Sequence, residues 1–336
     1  MLIENFDLSK NVLIIAEIGN NHEGIYTLAE ELIGLAVESG VDAVKFQTFK
    51  TQYFVSNKDI DRYNRLKSFE LSEQEFIRLS EHAKKAGVLF ISTPLDLESA
   101  KFLDTIVHAF KIASSDNNFY PLLEYIANTA KPVIMSTGLA DISLINQSKD
   151  FIYNIWRENN INTGLAILHC VTSYPVPIEQ ANLMAIQHLI REYNCTIGYS
   201  DHTNGIFACQ LAVALGSRII EKHFTINKNY SSFRDHQLSA DPTEMSYLVK
   251  SIREAEILLG NGIKSPQPTE IAIEKAVRRS IAAKRDLEIG HSLSYDDLIW
   301  IRPGNGLAVG KEKLLIGKKL LIQIKIGDFL SEEMVQ

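Results

Sequence analysis

Two histidines, His202 in GYSDHT and His223 in IIEKHFT, stand just past short apolar runs of the kind that form buried parallel strands. Imidazoles at the ends of adjacent strands can point at one ion, and Glu221 adds a carboxylate to the same edge. That pattern points to a divalent metal site. Two lysines, Lys45 in AVKFQT and Lys111 in AFKIAS, interrupt runs of the same kind. An unpaired ammonium is costly to bury, so each asks for an anionic partner. Three readings stay open for them: an internal salt bridge with Glu17 or Glu221, a phosphate or carboxylate on a substrate, and a Schiff base with a substrate carbonyl. Small hydroxyls end other runs, among them Thr93, Ser114, Ser136 and Ser200, and the Ser-Thr-Gly turn at 136–138 offers backbone N–H groups to an anion.

These residues meet only if the chain repeats one β/α unit. Short β-branched or apolar runs predict strands at 12–18, 43–47, 88–92, 109–112, 133–136, 165–170, 195–198 and 218–222. Stretches of 3.6-residue period between and after them predict helices at 26–38, 72–85, 97–103, 120–128, 142–158, 178–192, 205–215 and 243–259. Ser72 with Glu75 is a capping pair. Eight such units in about 250 residues fit an α/β fold of the (β/α)8 TIM-barrel type, whose strand C-termini share one mouth. Glu17, Lys45, Gln47, Ser92, Thr93, Lys111, Ser114, Ser136, His169, Thr172, Tyr174, Ser200, Asp201, His202, Glu221 and His223 are expected there. The polar stretch 53–63 reads as a rim or lid. No Gly-rich nucleotide loop follows the first strand. The residues together describe a metal-assisted barrel enzyme acting on a small anionic, oxygen-rich substrate. Two imidazoles with water and substrate oxygens suit Mn²⁺ or a neighbour such as Mg²⁺ or Co²⁺.

The barrel is expected over 1–260, a linker with Gly262, Pro266 and Pro268 over 261–276, and a small β-rich domain over 277–336 with strands at 280–283, 298–300 and 320–324. Charge shifts at the same place: 24 basic and 33 acidic residues in 1–276 give −9, and 10 against 8 in the remainder give +2, for a total of −7. No basic stripe of the nucleic-acid-binding kind is present. The cysteines Cys170, Cys195 and Cys209 lack metal-ligand spacing and read as small core residues in a reducing compartment. With no basic-then-apolar leader and no apolar run of about 20 residues, the expectation is a soluble cytoplasmic protein without membrane contact.

The segments AEIGNNHEG, VKFQT, FISTP, FKIASSD, IMSTG, LHCVTSYP, GYSDHT, EKHFT and RPGNG occur in that order over nearly the whole chain. They resemble the sialic acid synthase family, the phosphoenolpyruvate-dependent synthases of N-acetylneuraminate, legionaminate and pseudaminate. The resemblance implies a TIM barrel followed by a SAF (antifreeze-like, β-clip) domain. It also implies condensation of phosphoenolpyruvate with the aldehyde of an N-acylated hexosamine. By that resemblance His202 and His223 hold the metal. Lys45, Thr93, Lys111, Ser114, Ser136 and Ser200 hold phosphoenolpyruvate, and Glu17 is the acid/base. Gln47, Tyr174, Glu221 and Asp235 line the sugar end. Arg302 of RPGNG reaches the mouth of the partner subunit in a domain-swapped homodimer. A Schiff-base pyruvate aldolase on the same barrel and a non-catalytic saccharide-binding protein are the alternatives. Two departures from the family pattern, Thr172 in place of Asn and Phe233-Arg234 in place of Gly-Pro, are read as lying toward the sugar. They leave the acceptor open between N-acetylmannosamine and a 6-deoxy-diacetamido sugar.

Overall fold

The structure is a computed structural model that describes all of Met1–Gln336. Two compact units divide the chain, Met1–Gly260 and Asn261–Gln336.

In the first unit eight parallel strands close into a barrel: β1 (Leu13–Gly19), β2 (Ala43–Thr48), β3 (Leu89–Pro94), β4 (Ala109–Ile112), β5 (Val133–Ser136), β6 (Leu165–Cys170), β7 (Thr196–Asp201) and β8 (Ile219–His223). β8 pairs with β1 in parallel and closes the ring. The strands are buried on both faces, so most of them read as continuous apolar runs rather than as alternation. Alternation survives only as a choice of side. Val44, Phe46, Phe90, Phe110 and Ile220 face the helix layer and join the large outer core. Leu13, Ile15, Ala43, Ile91, Ala109, Ile134, Ala166, Leu168 and Ile219 face inward and fill the lower lumen. A short hairpin, Leu2–Ile3 with Phe6–Asp7, precedes β1. Its Ile3 and the following Leu8 are buried in the inner cluster and plug the lower end. Above that floor, the next inward position on strand after strand is polar, which makes one end of the barrel chemically active.

The expected helices are present with local corrections. Ser72 caps Glu73–Lys85 through a reciprocal capping box with Glu75. The helix expected over 178–192 is a 3₁₀ turn, Ile178–Gln180, followed by Met184–Glu192. Asn182, at φ 44°, breaks it between the two. The lid segment holds two helices that polarity concealed, Thr51–Phe54 and Ile60–Phe69. No helix is long and apolar enough to cross a membrane.

In the second unit the span 261–276, read as a linker, carries the helix Pro268–Val277, started by Pro268 at its first position. Ser280–Ala283 pairs antiparallel with Leu298–Ile301. The third expected strand, 320–324, is reduced to isolated bridges, Leu320 with Val335 and Leu287 with Ile324, because Gly317 and Gly327 turn the chain on either side. A core of ten buried side chains is small for a folding unit, so polar contacts weigh more. Asp297 is their hub. It is fully buried and accepts from Arg285 Nη2 at 2.6 Å, His291 Nε2 at 2.9 Å, Ser294 N at 2.9 Å and Ser294 Oγ at 2.8 Å. Burial pushes its carboxyl up, but these donors outweigh burial and hold it well below the ordinary 3.8.

A carboxyl depressed on folding contributes stability that is present above its unfolded pKa and lost as pH falls below it. Asp297→Ala is therefore expected to cost the second unit about 1–3 kcal/mol at pH 7, because it removes a buried, hydrogen-bonded carboxylate whose partner Arg285 stays exposed. The deficit should shrink as pH is lowered below about 4. Thermal unfolding of the full chain at pH 7 and pH 3 checks this; a wild-type transition at pH 7 would refute the hub role.

Candidate active site

The upper inward positions of the strands deliver most of the expected residues to one cavity of about 890 Å³. Glu17, Lys45, Gln47, Thr93, Lys111, Ser114, Ser136, Thr172, Tyr174, Ser200, His202, Glu221, His223 and Asp235 all line it. Strand parity explains the set. Lys45 and Gln47 are two apart on β2, and Glu221 and His223 two apart on β8. The same parity removes three expected residues. Ser92 turns outward to Thr48 Oγ1 at 2.8 Å, and His169 turns outward to the Ala181 carbonyl at 2.8 Å. Asp201 accepts from Lys222 Nζ at 2.8 Å, both fully buried behind the mouth, and from Tyr199 Oη at 2.9 Å. It fixes the GYSDHT turn rather than touching the cavity.

At the bottom of the mouth lie four ionisable groups, each at most 5 % exposed. Lys45 Nζ sits 2.7 Å from Glu17 Oε2 and 3.9 Å from Glu221 Oε2, and Lys111 Nζ sits 3.7 Å from Glu221 Oε1. Lys45 also donates to Thr93 Oγ1 at 3.1 Å, and Ser200 Oγ donates to Glu221 Oε1 at 2.9 Å. The internal salt bridge and the cavity-facing lysine, alternatives in the sequence, coexist here. Burial raises the Glu17 carboxyl; Lys45 pulls it back and the neighbouring Glu221 charge pushes it up again, leaving it above the ordinary range. Burial acts on Glu221 as well, but Lys111 and Lys45 prevail and keep it low. Burial pulls Lys111 down, against the attraction of Glu221. Glu221, expected at the sugar end, is thus the inner carboxylate shared by both lysines.

Beside this cluster is a hydroxyl cradle. Ser114 Oγ accepts from Gly138 N at 3.0 Å, while Ser136 Oγ and Thr172 Oγ1 are buried without partners. The backbone N–H groups of the 136–138 turn are not free for an anion. Thr137 N donates to the Leu168 carbonyl at 3.1 Å, and Gly138 N serves Ser114. The cradle therefore offers hydroxyls, not amides. Thr172, read as an acceptor-side departure, belongs to it. A Cβ at Gly138 would lie 2.2 Å from Thr172 Oγ1 and 2.8 Å from Ser114 Oγ, so glycine keeps the cradle open.

His202 and His223 face each other with ring centroids 5.5 Å apart, and Tyr174 covers His202 at 4.2 Å. His202 Nδ1 lies 2.9 Å from the Val171 carbonyl, which orients the ring and leaves Nε2 to act as ligand. His223 Nδ1 is buried without a partner. Burial and the adjacent His202 hold His223 well below its ordinary pKa, which keeps it neutral. An orphaned neutral nitrogen facing a backbone-oriented imidazole fits a divalent cation. No third His, Cys, Asp or Glu joins them as a ligand cluster, so the remaining positions would fall to water and substrate oxygens.

Residues 32–264 match the NeuB family model and residues 278–336 match the SAF domain model. The chain belongs to the NeuB family. It is 40% identical to the N,N'-diacetyllegionaminic acid synthase of Legionella pneumophila, over 98% of this chain and 96% of the relative. It is 38% identical to the enzyme of the same name in Campylobacter jejuni, over 96% of this chain and 100% of that one. Among solved structures, the N-acetylneuraminic acid synthetase of Leptospira borgpetersenii in complex with citrate superposes with a TM-score of 0.76 at 35% identity, covering 81% of this chain and 94% of that chain.

In this NeuB-family chain the rim holds what sequence reading missed. Asn20, Glu23, Arg62, Arg65, Cys170 and Ser231 line the cavity. Cys170 follows the inward parity of β6 and lies 3.7 Å from His202 Nδ1, so it is a wall residue rather than plain core. Arg62 and Arg65 come from the helix hidden in the lid segment. Asp235 is present as expected, with burial raising its carboxyl and Arg234 pulling it back. Arg302 is carried by the second unit, where it is exposed beside Lys264, Glu270 and Arg278.

Gly138→Ala tests the cradle. The added methyl should raise the concentration needed of an anion held there by about tenfold or more. The melting temperature should also fall by a few degrees, because the methyl must displace Thr172 Oγ1 and the Ser114 side chain. Calorimetric titration of phosphoenolpyruvate into both proteins reads it, and equal affinity would show the cradle to be misassigned.

Proposed function

We propose that the protein condenses phosphoenolpyruvate with the open-chain aldehyde of an N-acylated hexosamine, forming a sialic-acid-like nonulosonic acid and releasing phosphate. The observation that carries this reading is the bottom of the mouth, where two buried lysines and unpartnered hydroxyls meet in a NeuB-family chain. A trianionic substrate needs fixed positive charge in a place where water cannot screen it. Lys45 and Lys111 supply the charge, and Thr93, Ser114, Ser136 and Ser200 supply donors. Carbon 3 of phosphoenolpyruvate bonds to the aldehyde carbon as water adds at carbon 2. The aldehyde oxygen gains a proton. The new hydroxyl at carbon 2 then loses its own as the carbon–oxygen bond to phosphate breaks, leaving a ketone. Glu17 is the group for the water's proton: burial raises its carboxyl above the ordinary range, and Lys45 fixes its direction. A divalent cation on His202 and His223, Mn²⁺ first among Mg²⁺ and Co²⁺, would supply Lewis-acid polarisation of the aldehyde oxygen. Gln47, Tyr174 and Asp235 line the acceptor end. The two legionaminic acid synthases among the relatives favour a 2,4-diacetamido-trideoxyhexose over N-acetylmannosamine as acceptor. Free thiols at all three cysteines suit a reducing, cytoplasmic setting.

One observation favours the Schiff-base reading, the depressed Lys111. Its pairing with Glu221 and its place beside unpartnered hydroxyls suit anion holding better.

Phosphate release is to be measured with Mn²⁺, phosphoenolpyruvate and either N-acetylmannosamine or a 2,4-diacetamido-2,4,6-trideoxyhexose. Release should require the diacetamido sugar and metal. His223→Ala should lose about 10²-fold or more in rate together with chelator sensitivity. Borohydride with pyruvate should trap nothing. Chelator-resistant turnover with a trapped lysine adduct would replace this reading with the aldolase.

We infer further that the protein works as a domain-swapped homodimer in which Arg302 completes the partner's acceptor end. Exposed Ile263, Ile271, Ile273 and Val277 on the second unit are apolar side chains that a partner would cover. Arg302→Ala should raise the acceptor KM about tenfold with phosphoenolpyruvate KM unchanged. Sedimentation should give a dimer for both proteins. A monomer with full activity would remove the proposal.

A further inference from the structure

The rim holds a carboxylate that the proposed reaction does not yet use. Glu23 lies in the loop after β1, with its side chain 22 % exposed and lining the cavity. Its Oε1 is locked twice, by Nε2 of the fully buried His236 at 2.9 Å and by the Ser231 hydroxyl. The other imidazole nitrogen of His236 meets Thr225 Oγ1 at 2.6 Å. Tyr230 and Phe233 flank the ring, with centroids 5.3 and 6.0 Å away. Both protein bonds to Glu23 fall on Oε1, and Oε2 takes none. Glu23 also holds a left-handed backbone at φ 47°, a conformation a non-glycine residue adopts at a cost. A cavity-lining side chain anchored through one oxygen by a buried imidazole, with its other oxygen unpaired, is a pre-oriented acceptor of hydrogen bonds.

From this we infer that Glu23 binds the acceptor sugar through Oε2, taking a hydroxyl or amide N–H, and that His236 is its positioning residue. The inference rests on the proposed condensation, since an N-acylated hexosamine is the substrate rich in such donors. Glu23 stands on the same rim as Asp235, which neighbours His236 in sequence and pairs with Arg234 Nε at 3.3 Å. His236 thus ties the loop after β1 to the loop that carries Asp235. The buried ring fixes Glu23, while Asp235 is held by its own neighbour Arg234.

Glu23→Gln is the direct test. The amide can still accept from His236, but it puts an N–H₂ where Oε2 was. The acceptor KM should rise about ten- to a hundredfold. Phosphoenolpyruvate KM should stay within about twofold, and the melting temperature within about 3 °C. His236→Gln retains a donor for Glu23 and should stay within about threefold of wild type, whereas His236→Ala should raise the acceptor KM as Glu23→Gln does. Combining His236→Ala with Glu23→Gln should add less than about threefold, because the two act through one contact. Wild-type acceptor KM in Glu23→Gln, or an equal rise in phosphoenolpyruvate KM, would remove the role. A lowered melting temperature with both constants unchanged would make the pair structural only. Absence of phosphate release in the wild type with every hexosamine would instead remove the condensation itself, and this role with it.

Discussion

Four charged side chains buried in one barrel set the terms for everything above them. Glu17, Lys45, Lys111 and Glu221 have almost no solvent, so each must be neutralised by the others. A buried ion pair gains little stability over packed apolar side chains, because desolvation consumes most of the attraction. The lower lumen shows the cheaper solution, a floor of Ile, Leu and Ala from the same strands. The cluster's charges are instead already fixed and dry, which is what the proposed condensation asks of an anion site. The apolar floor and the plug of Ile3 and Leu8 keep water from reaching it from below.

The fold was legible because its signal is physical and repeated. Strands buried on both faces must be apolar, so a lysine within them stands out as costly, and Lys45 and Lys111 marked the mouth on that ground alone. Strand ends were placed within about two residues except in the seventh strand, expected to end at 198 and running to Asp201. The facing of His202 and His223 followed from two histidines in equivalent positions. The errors share one cause. Residues in the last positions of the strands were assigned to the mouth by proximity, whereas side is set by parity: Ser92, Asp201 and His169 point outward, and Cys170 points in. Sequence order carries no depth, so the pairing of Glu221 with both lysines could not be read from it. The helix Ile60–Phe69 was hidden because its face toward the cavity carries arginines instead of an apolar stripe. The Glu23–His236 contact spans 213 residues, and no local pattern could announce it.

The two ends of the cavity are built by different means. The inner end depends on strand register, where a shift of one residue would turn Lys45 or Glu221 into the helix layer and destroy the pairs. The rim depends on contacts between loops. Gly24, at φ 78°, lets the loop after β1 approach the lid helix so closely that a Cβ would lie 2.0 Å from the Ser68 carbonyl. Phe69 at the end of that helix meets Phe233 edge-on at 5.1 Å, and Arg234 lies over the Tyr174 ring at 5.1 Å.

Such contacts can be exchanged without disturbing the sheet. A change at 233–234 alters what covers Tyr174 and the lid helix, yet leaves every strand pair and the four buried charges as they are. The Phe233-Arg234 departure from the family pattern falls on this replaceable rim. Thr172 is the opposite case: its hydroxyl sits against Gly138 in the inner cradle, so a larger side chain there would have to be accommodated by the anion site itself. Under the proposed condensation, variation at the rim would change the acceptor, while variation at Thr172 would have to remain compatible with the hydroxyl cradle it shares with Gly138 and Ser114.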